Sequence, residues 1–75
     1  MKKTMSVGLK KGTEVSEVLK NNLFELKGDE WVYTDDNGQL AMSITYSVND
    51  GETVFDVWMI NEDMQILIDK IAEEI

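Results

Sequence analysis

The segment from Leu40 to Val48 alternates apolar residues with small or hydroxyl-bearing residues along its whole length. Successive side chains of a β-strand point to opposite faces of the sheet, so this pattern predicts a strand with one apolar and one polar face. No other segment constrains the fold as strongly. The chain must form a β-sheet, and one face of that sheet must be buried.

Turn-forming residues bracket this strand. Asn37-Gly38 precedes it and suits the positive φ angles of a type I′ hairpin turn, and Asn49–Glu52 follows it. The next segment, Thr53–Ile60, has apolar residues on both of its faces, which is typical of a strand covered on both sides. We therefore predict a three-stranded antiparallel meander with strands at Glu30–Thr34, Leu40–Val48 and Thr53–Ile60.

Two helices are predicted by apolar spacing. Six apolar residues from Met64 to Ile75 recur at the helical period, and Asn61 is placed to cap the amino end of that helix. A second, shorter stripe begins after Thr13, which we expect to cap it. A strand near Met5 precedes this first helix, and Leu23–Lys27 can form another strand after it.

These elements predict one small α+β domain, residues 1–75, with an antiparallel meander sheet of three to five strands and two helices in the order strand, helix, strands, helix.

A chain of this length buries only about 60% of the surface that it exposes when unfolded. Cysteine is absent, so disulfides cannot supplement the core, which leaves unaided packing or self-association to stabilise the fold.

Charge is distributed unevenly along the chain. Residues 1–27 hold six of the seven lysines and three glutamates, whereas residues 28–75 hold twelve acidic residues and a single lysine, Lys70. The acidic part repels phosphate and anionic lipid through its summed field, so its expected partners are basic proteins or cations. Docking on a basic protein requires these acids to lie together on one outward side and to remain free of the lysines.

The residue inventory argues against an enzyme. Histidine, cysteine and arginine are all absent, so the commonest general base, the best nucleophile and the bidentate anion clamp are missing. We expect no catalytic residue, no cofactor, no metal site and no small-molecule substrate. We expect no nucleic-acid partner, because the amino-terminal lysines lack interleaved aromatic residues and the acidic remainder opposes approach.

Carboxylate pairs are the remaining route to cation binding or catalysis, and they define an alternative function. Asp35-Asp36-Asn37-Gly38 superficially resembles a calcium loop, but Tyr33 and Ile44 stand where the first and last ligands would be required. Turn chemistry explains Asp35 and Asp36 more simply.

Partner contact is expected at two kinds of residue. Ile66 points away from the apolar stripe of its helix, among Asp69, Lys70 and Glu73. Trp58 and Val54, together with Trp31 or Tyr33, could form an aromatic patch on the sheet face opposite the carboxyl-terminal helix, unless the first helix covers that face. The candidate partner-binding residues are Trp58, Val54, Trp31, Tyr33, Ile66, Asp35, Asp36, Asp69 and Glu73.

The sequence thus favours a non-enzymatic interaction module that docks on a basic partner protein and blocks or tethers it. Small size, missing catalytic groups and acidity are typical of inhibitors encoded by phages or mobile elements, and one form of this function is mimicry of nucleic acid. The alternative from a different class is a structural homodimer in which Trp58 and Val54 meet across a sheet face or edge.

The amino terminus does not resemble a signal peptide, because no apolar run of about 7–15 residues follows Lys2-Lys3. Nor does any segment approach the roughly 20 apolar residues that span a bilayer. We therefore expect a soluble cytoplasmic protein without a membrane partner.

Overall fold

A computed structural model describes all 75 residues and places five strands in one antiparallel sheet with two helices. The α+β architecture and the order strand, helix, strands, helix are as predicted. The elements, in chain order, are β1 (Lys2–Gly8), α1 (Val15–Asn21), β2 (Glu25–Lys27), β3 (Glu30–Thr34), β4 (Leu40–Asn49), β5 (Glu52–Met59), a 3₁₀ turn (Glu62–Met64) and α2 (Gln65–Glu74).

The meander β2-β3-β4-β5 is extended by β1, which pairs antiparallel with β5 and gives the spatial order β1-β5-β4-β3-β2. The short strand at Leu23–Lys27 exists, but it covers only Glu25–Lys27. The two edges of the sheet are therefore β1 and β2, and α1 carries the chain from one edge to the other.

The prediction of a type I′ turn at Asn37-Gly38 is wrong. Only Gly38 has a positive φ there, and the Asp35 side chain accepts hydrogen bonds from the amides of Asn37 and Gln39, each at 2.9 Å. This geometry fits a type I turn followed by a glycine bulge, in agreement with the register shift after Tyr33. A turn with both central φ angles positive lies instead at Asp50-Gly51, between β4 and β5.

Both helices pack on the same face of the sheet. Their buried residues join those of the strands in one core cluster that contains Val15, Val18, Leu19, Phe24, Trp31, Met42, Ile44, Phe55, Val57, Met59, Ile68, Ile71 and Ile75. The second face of β5 carries no helix or strand of this chain, so β5 is not covered on both sides within one chain; its coverage by a second subunit stays a prediction.

The amino-terminal caps of the helices differ. Asn61 accepts a 3.0 Å hydrogen bond from the amide of Asp63 and starts the 3₁₀ turn that leads into α2, as predicted. Thr13 does not cap α1; the cap position is Glu14, whose side chain makes no capping hydrogen bond. The predicted start of α1 was therefore one residue too early.

The carboxyl end of α1 is closed by a Schellman motif. The amide of Phe24 donates to the Leu19 carbonyl and that of Leu23 to the Lys20 carbonyl, both at 3.0 Å, while Phe24 and Leu19 are both in the core. Leu23 takes the left-handed position, with φ at 70°, where glycine is usual. An L-residue with a Cβ is strained in this conformation.

Replacing Leu23 by glycine should relieve that strain. Leu23 is 75% exposed, so little packing is lost. The strain is worth about 1–2 kcal/mol, and the greater freedom of glycine in the unfolded chain offsets about half of it. We expect Leu23→Gly to raise the free energy of unfolding by about 0.5–1 kcal/mol in urea titration. Asn21→Gly, within α1, is the control and should lower it; a loss of stability in Leu23→Gly would contradict the assignment of strain.

Candidate interaction surfaces

The uncovered face of the sheet, here called the open face, is predominantly polar. It presents mainly hydroxyl and charged side chains from all five strands, with Trp58, Val54 and Val32 as the larger apolar ones. Trp58 forms part of the wall of a shallow depression of about 330 Å³, beside Lys2, Thr45 and Asp56. The face as a whole comprises Lys2, Thr4, Ser6, Glu25, Lys27, Glu30, Val32, Ser43, Thr45, Ser47, Glu52, Val54, Asp56 and Trp58.

Hydroxyl groups of β1 bind the carboxylates of β5 on this open face. The Thr4 hydroxyl donates to Asp56 at 2.8 Å, and the Ser6 hydroxyl donates to Glu52. These contacts hold Asp56 and Glu52 in place without neutralising them. The open face therefore combines one partly buried tryptophan with fixed, charged carboxylates.

Trp58 and Val54 lie on the open face as predicted, but Trp31 and Tyr33 do not join them. Trp31 pairs with Ile44 on the covered face and is only 7% exposed. Tyr33 packs partly buried against the same core, with its ring centroid 5.5 Å from that of Phe24. The predicted aromatic patch is reduced to Trp58, and neither Trp31 nor Tyr33 belongs to it.

Asp35 and Asp36 lie in the loop between β3 and β4, with different surroundings. The Asp35 carboxylate is occupied by the two loop amides described above, so its role in the structure is to hold the turn. Asp36 is exposed. The structure brings neither of them to Trp58 or to the outer side of α2.

The outward side of α2 carries the largest group of acidic residues. Ile66, at 79% exposure, is surrounded at helical spacing by exposed charged residues. Asp69 accepts a 2.8 Å hydrogen bond from the Gln65 amide, and Gln65 in turn accepts one from the Lys3 ammonium at 2.9 Å. We call this the α2 surface, and it consists of Glu62, Asp63, Ile66, Asp69, Lys70 and Glu73.

No lysine side chain forms an ion pair with the acids of the α2 surface. The chain has a single ion pair, Lys20 with Glu17 on α1, at 3.9 Å and with both side chains more than half exposed. A pair of that kind contributes about 0–1 kcal/mol. Lys10 reaches α2 but donates to the backbone carbonyl of Glu73, not to its carboxylate. The α2 surface therefore has four acidic side chains and one lysine, and none of the four acids is in an ion pair.

The acids of residues 28–75 do not all lie on one side of the domain. Five belong to the 3₁₀ turn and α2, from Glu62 to Glu74. The other seven lie in the β2–β3, β3–β4 and β4–β5 turns, at the adjoining strand ends and on the open face. The expectation of a single acidic side is wrong, so docking on a basic protein can rest only on the concentrated acidic surface on α2, which is set within a more diffuse negative field.

Three or more acidic side chains do not come together anywhere in a geometry that could hold a metal ion. Neither helix is long and apolar enough to cross a membrane. The arrangement is suited to reversible electrostatic contact, because exposed carboxylates around one apolar side chain can pair with lysine or arginine and bury a small apolar centre.

No family model, curated protein or solved structure matches this chain.

Sequence reasoning missed a third surface, at the β2 edge of the sheet. Leu26 is 56% exposed there and lies beside a shallow groove of about 580 Å³ between α1 and β2. The groove is lined by Lys20, Phe24 and Trp31, among others. The apolar content of Leu23–Lys27 predicted a strand, but nothing in the sequence indicated that this strand would be at an edge.

Proposed function

We propose that this chain is a non-enzymatic interaction module that binds a basic partner protein through the α2 surface and blocks or tethers that partner. The observation that carries the proposal is the unneutralised carboxylate group around Ile66. Charged groups around a desolvated apolar anchor are a usual arrangement in protein interfaces.

Helix stability accounts for Glu62 and Asp63, which lie in the first turn, but not for the acids at the carboxyl end of α2. Glu73 and Glu74 occupy the last turn of α2, where the helix dipole disfavours negative charge. Lys70 is the only cation on the helix, and it forms no ion pair. The Glu74 carboxylate accepts a 3.3 Å hydrogen bond from the Asn22 amide, whereas no ion pair holds the Glu73 carboxylate. Residues that oppose a local stability rule without compensation, as Glu73 does, are expected at functional sites.

The remaining carboxylates support the same function at longer range. The chain has a formal net charge of −8, and of the acids outside α2 only Glu17 forms an ion pair with a lysine. A field of this sign accelerates encounter with a basic protein, whereas close contacts on the α2 surface determine how long the complex lasts.

A charge-matched pair of variants tests the proposal. The α2 variant removes three charges from the α2 surface and consists of Glu62→Gln, Asp69→Asn and Glu73→Gln. The control variant removes three exposed charges elsewhere and consists of Asp29→Asn, Asp36→Asn and Asp50→Asn. Both variants have the same net charge, so a difference between them reports position and not total charge.

Affinity capture from native cell extract, followed by mass spectrometry, identifies the partner with which affinities are then measured. We expect the captured partner to be a basic protein that both the wild type and the control variant retain. The α2 variant should bind it about tenfold more weakly, because each lost charge pair contributes about 0.2–1 kcal/mol. Equal binding by both variants would contradict the proposal. So would loss of binding in Trp58→Ser with the α2 variant unaffected, which would place the interface on the open face.

A further inference from the structure

The β2 edge carries a self-complementary sequence. Its three residues, Glu25, Leu26 and Lys27, read acidic, apolar, basic. If two copies of β2 pair antiparallel about Leu26, Glu25 of each copy lies opposite Lys27 of the other, and the two Leu26 side chains are opposite one another. Opposite charges across strands stabilise a pair, and equal charges destabilise it.

We propose that two copies of this chain associate through β2 and form a continuous ten-stranded antiparallel sheet. The occupant of this edge is therefore a second copy of the chain, and the contact is a twofold interface in which the same residues serve both partners. The proposal is independent of the α2 surface, which lies on the other side of the helical layer, next to β1.

The backbone of Leu26 is available for this pairing. A two-residue turn, Gly28-Asp29, joins β2 to β3, and such a turn closes with a hydrogen-bonded pair, here Lys27 with Glu30. Because hydrogen-bonded and non-hydrogen-bonded pairs alternate, the Leu26 amide and carbonyl point away from β3. They can make two reciprocal hydrogen bonds with Leu26 of a second copy.

Side chains on the covered face favour the same contact. Leu26 lies opposite the buried Trp31 of β3, on the side of the sheet that the helices cover. Paired residues of a continuous sheet share a face, so the two Leu26 side chains would join the two Trp31 rings in one apolar strip. The groove between α1 and β2 borders this strip, and the contact would shield Leu26 from solvent.

The opposite edge of the sheet lacks these properties. β1 begins with Lys2-Lys3, and lysine on an edge strand discourages pairing with another chain unless, like Lys27, it lies opposite an acid. An antiparallel pairing of β1 about its central residue, Met5, would set Lys3 against Val7, with no opposite charge. Complementarity is therefore confined to β2.

The dimer has a functional consequence. A twofold axis perpendicular to the sheet leaves both helical layers on the same side, so two α2 surfaces face one direction. A partner with two basic sites, or a partner that is itself a dimer, would then bind with the added strength of bivalent contact.

Sedimentation velocity from micromolar to millimolar protein tests the dimer. We expect a concentration-dependent dimer in the wild type, and a dissociation constant about tenfold higher in Leu26→Ser, in Glu25→Lys and in Lys27→Glu. The double variant Glu25→Lys with Lys27→Glu restores opposite charges across the pair and should recover most of the affinity. Ile66→Ser, which changes a similarly exposed apolar residue on α2, is the control and should have no effect.

Amide hydrogen exchange separates this interface from other modes of self-association. The Leu26 amide should become protected as protein concentration rises in the wild type but not in Leu26→Ser, and circular dichroism verifies that each variant is folded. A strict monomer at millimolar concentration would overturn the proposal. A dimer that Trp58→Ser disrupts and Leu26→Ser does not would also overturn it, because the interface would then be the open face.

Discussion

Replacing Phe55 by alanine is expected to bring the free energy of unfolding close to zero, so that a large fraction of the protein is unfolded at room temperature. Phe55 is fully buried at the centre of β5, between Met5 on β1 and Tyr46 on β4, and its ring centroid is 6.0 Å from that of Tyr46. Truncating such a ring costs about 3–5 kcal/mol. A single core in a chain of this size supplies about the same amount.

The adjacent residue provides the control for this prediction. Val54 is on the open face of the same strand and is only partly buried, so Val54→Ala should cost about 1 kcal/mol or less. Urea titration followed by tryptophan fluorescence gives the free energy of unfolding, with the buried Trp31 as a probe of the core. A loss below about 1 kcal/mol in Phe55→Ala would show that the core is not centred on β5.

Replacing Thr53 by valine is expected to stabilise the domain. Thr53 is fully buried on the covered face, between Val7 and Val48 on the neighbouring strands, and its hydroxyl oxygen has no hydrogen-bond partner. Valine has the same shape without the polar atom. Because an unsatisfied buried hydroxyl costs about 1–3 kcal/mol, the free energy of unfolding should rise by that order.

Thr45→Val is the matched control, since Thr45 is also a central strand threonine but lies on the open face, partly exposed. Its effect should stay within about 0.5 kcal/mol. The same urea titration measures both variants. Destabilisation by Thr53→Val would mean that the hydroxyl makes a hydrogen bond that stabilises the folded state.

Local periodicity explains which parts of the fold could be predicted. The alternation in β4 and the helical spacing of Ile68, Ile71 and Ile75 each identify an element from its own residues, because only a correctly folded element aligns its apolar side chains. The order of elements follows from the same signals. The position of β1 beside β5 depends on tertiary packing and was not predictable from its own pattern.

The residues of β3 that lie on the covered face could have been predicted, although our interpretation of the sequence placed Trp31 or Tyr33 on the opposite face. The two-residue loop that we predicted at Asn37-Gly38 sets a register in which Tyr33 pairs with Met42 and Trp31 with Ile44. The structure has a different loop but the same pairs. These partners belong to the apolar side of β4. The strand register therefore predicts that Trp31 lies in the core, whereas the composition of β3 alone does not.

The candidate site was only partly predictable. Ile66, Asp69 and Glu73 lie on one outward helical face, which follows from the helical period. The dispersal of the other acids over three turns and the open face depends on how the hairpins are arranged in space. The exposure of Leu26 depends on which strand ends the sheet, and that is a property of the whole topology.

The salt dependence of partner binding tests the central claim most directly. The dissociation constants of the wild type and of the α2 variant for the captured basic protein are compared at about 50 and about 500 mM salt, a range over which exposed charge pairs become screened. The wild type should lose affinity steeply as salt rises, and the α2 variant should start weaker and change much less. Identical salt dependence in the two proteins, or none in the wild type, would contradict the claim that the carboxylates of α2 bind the partner.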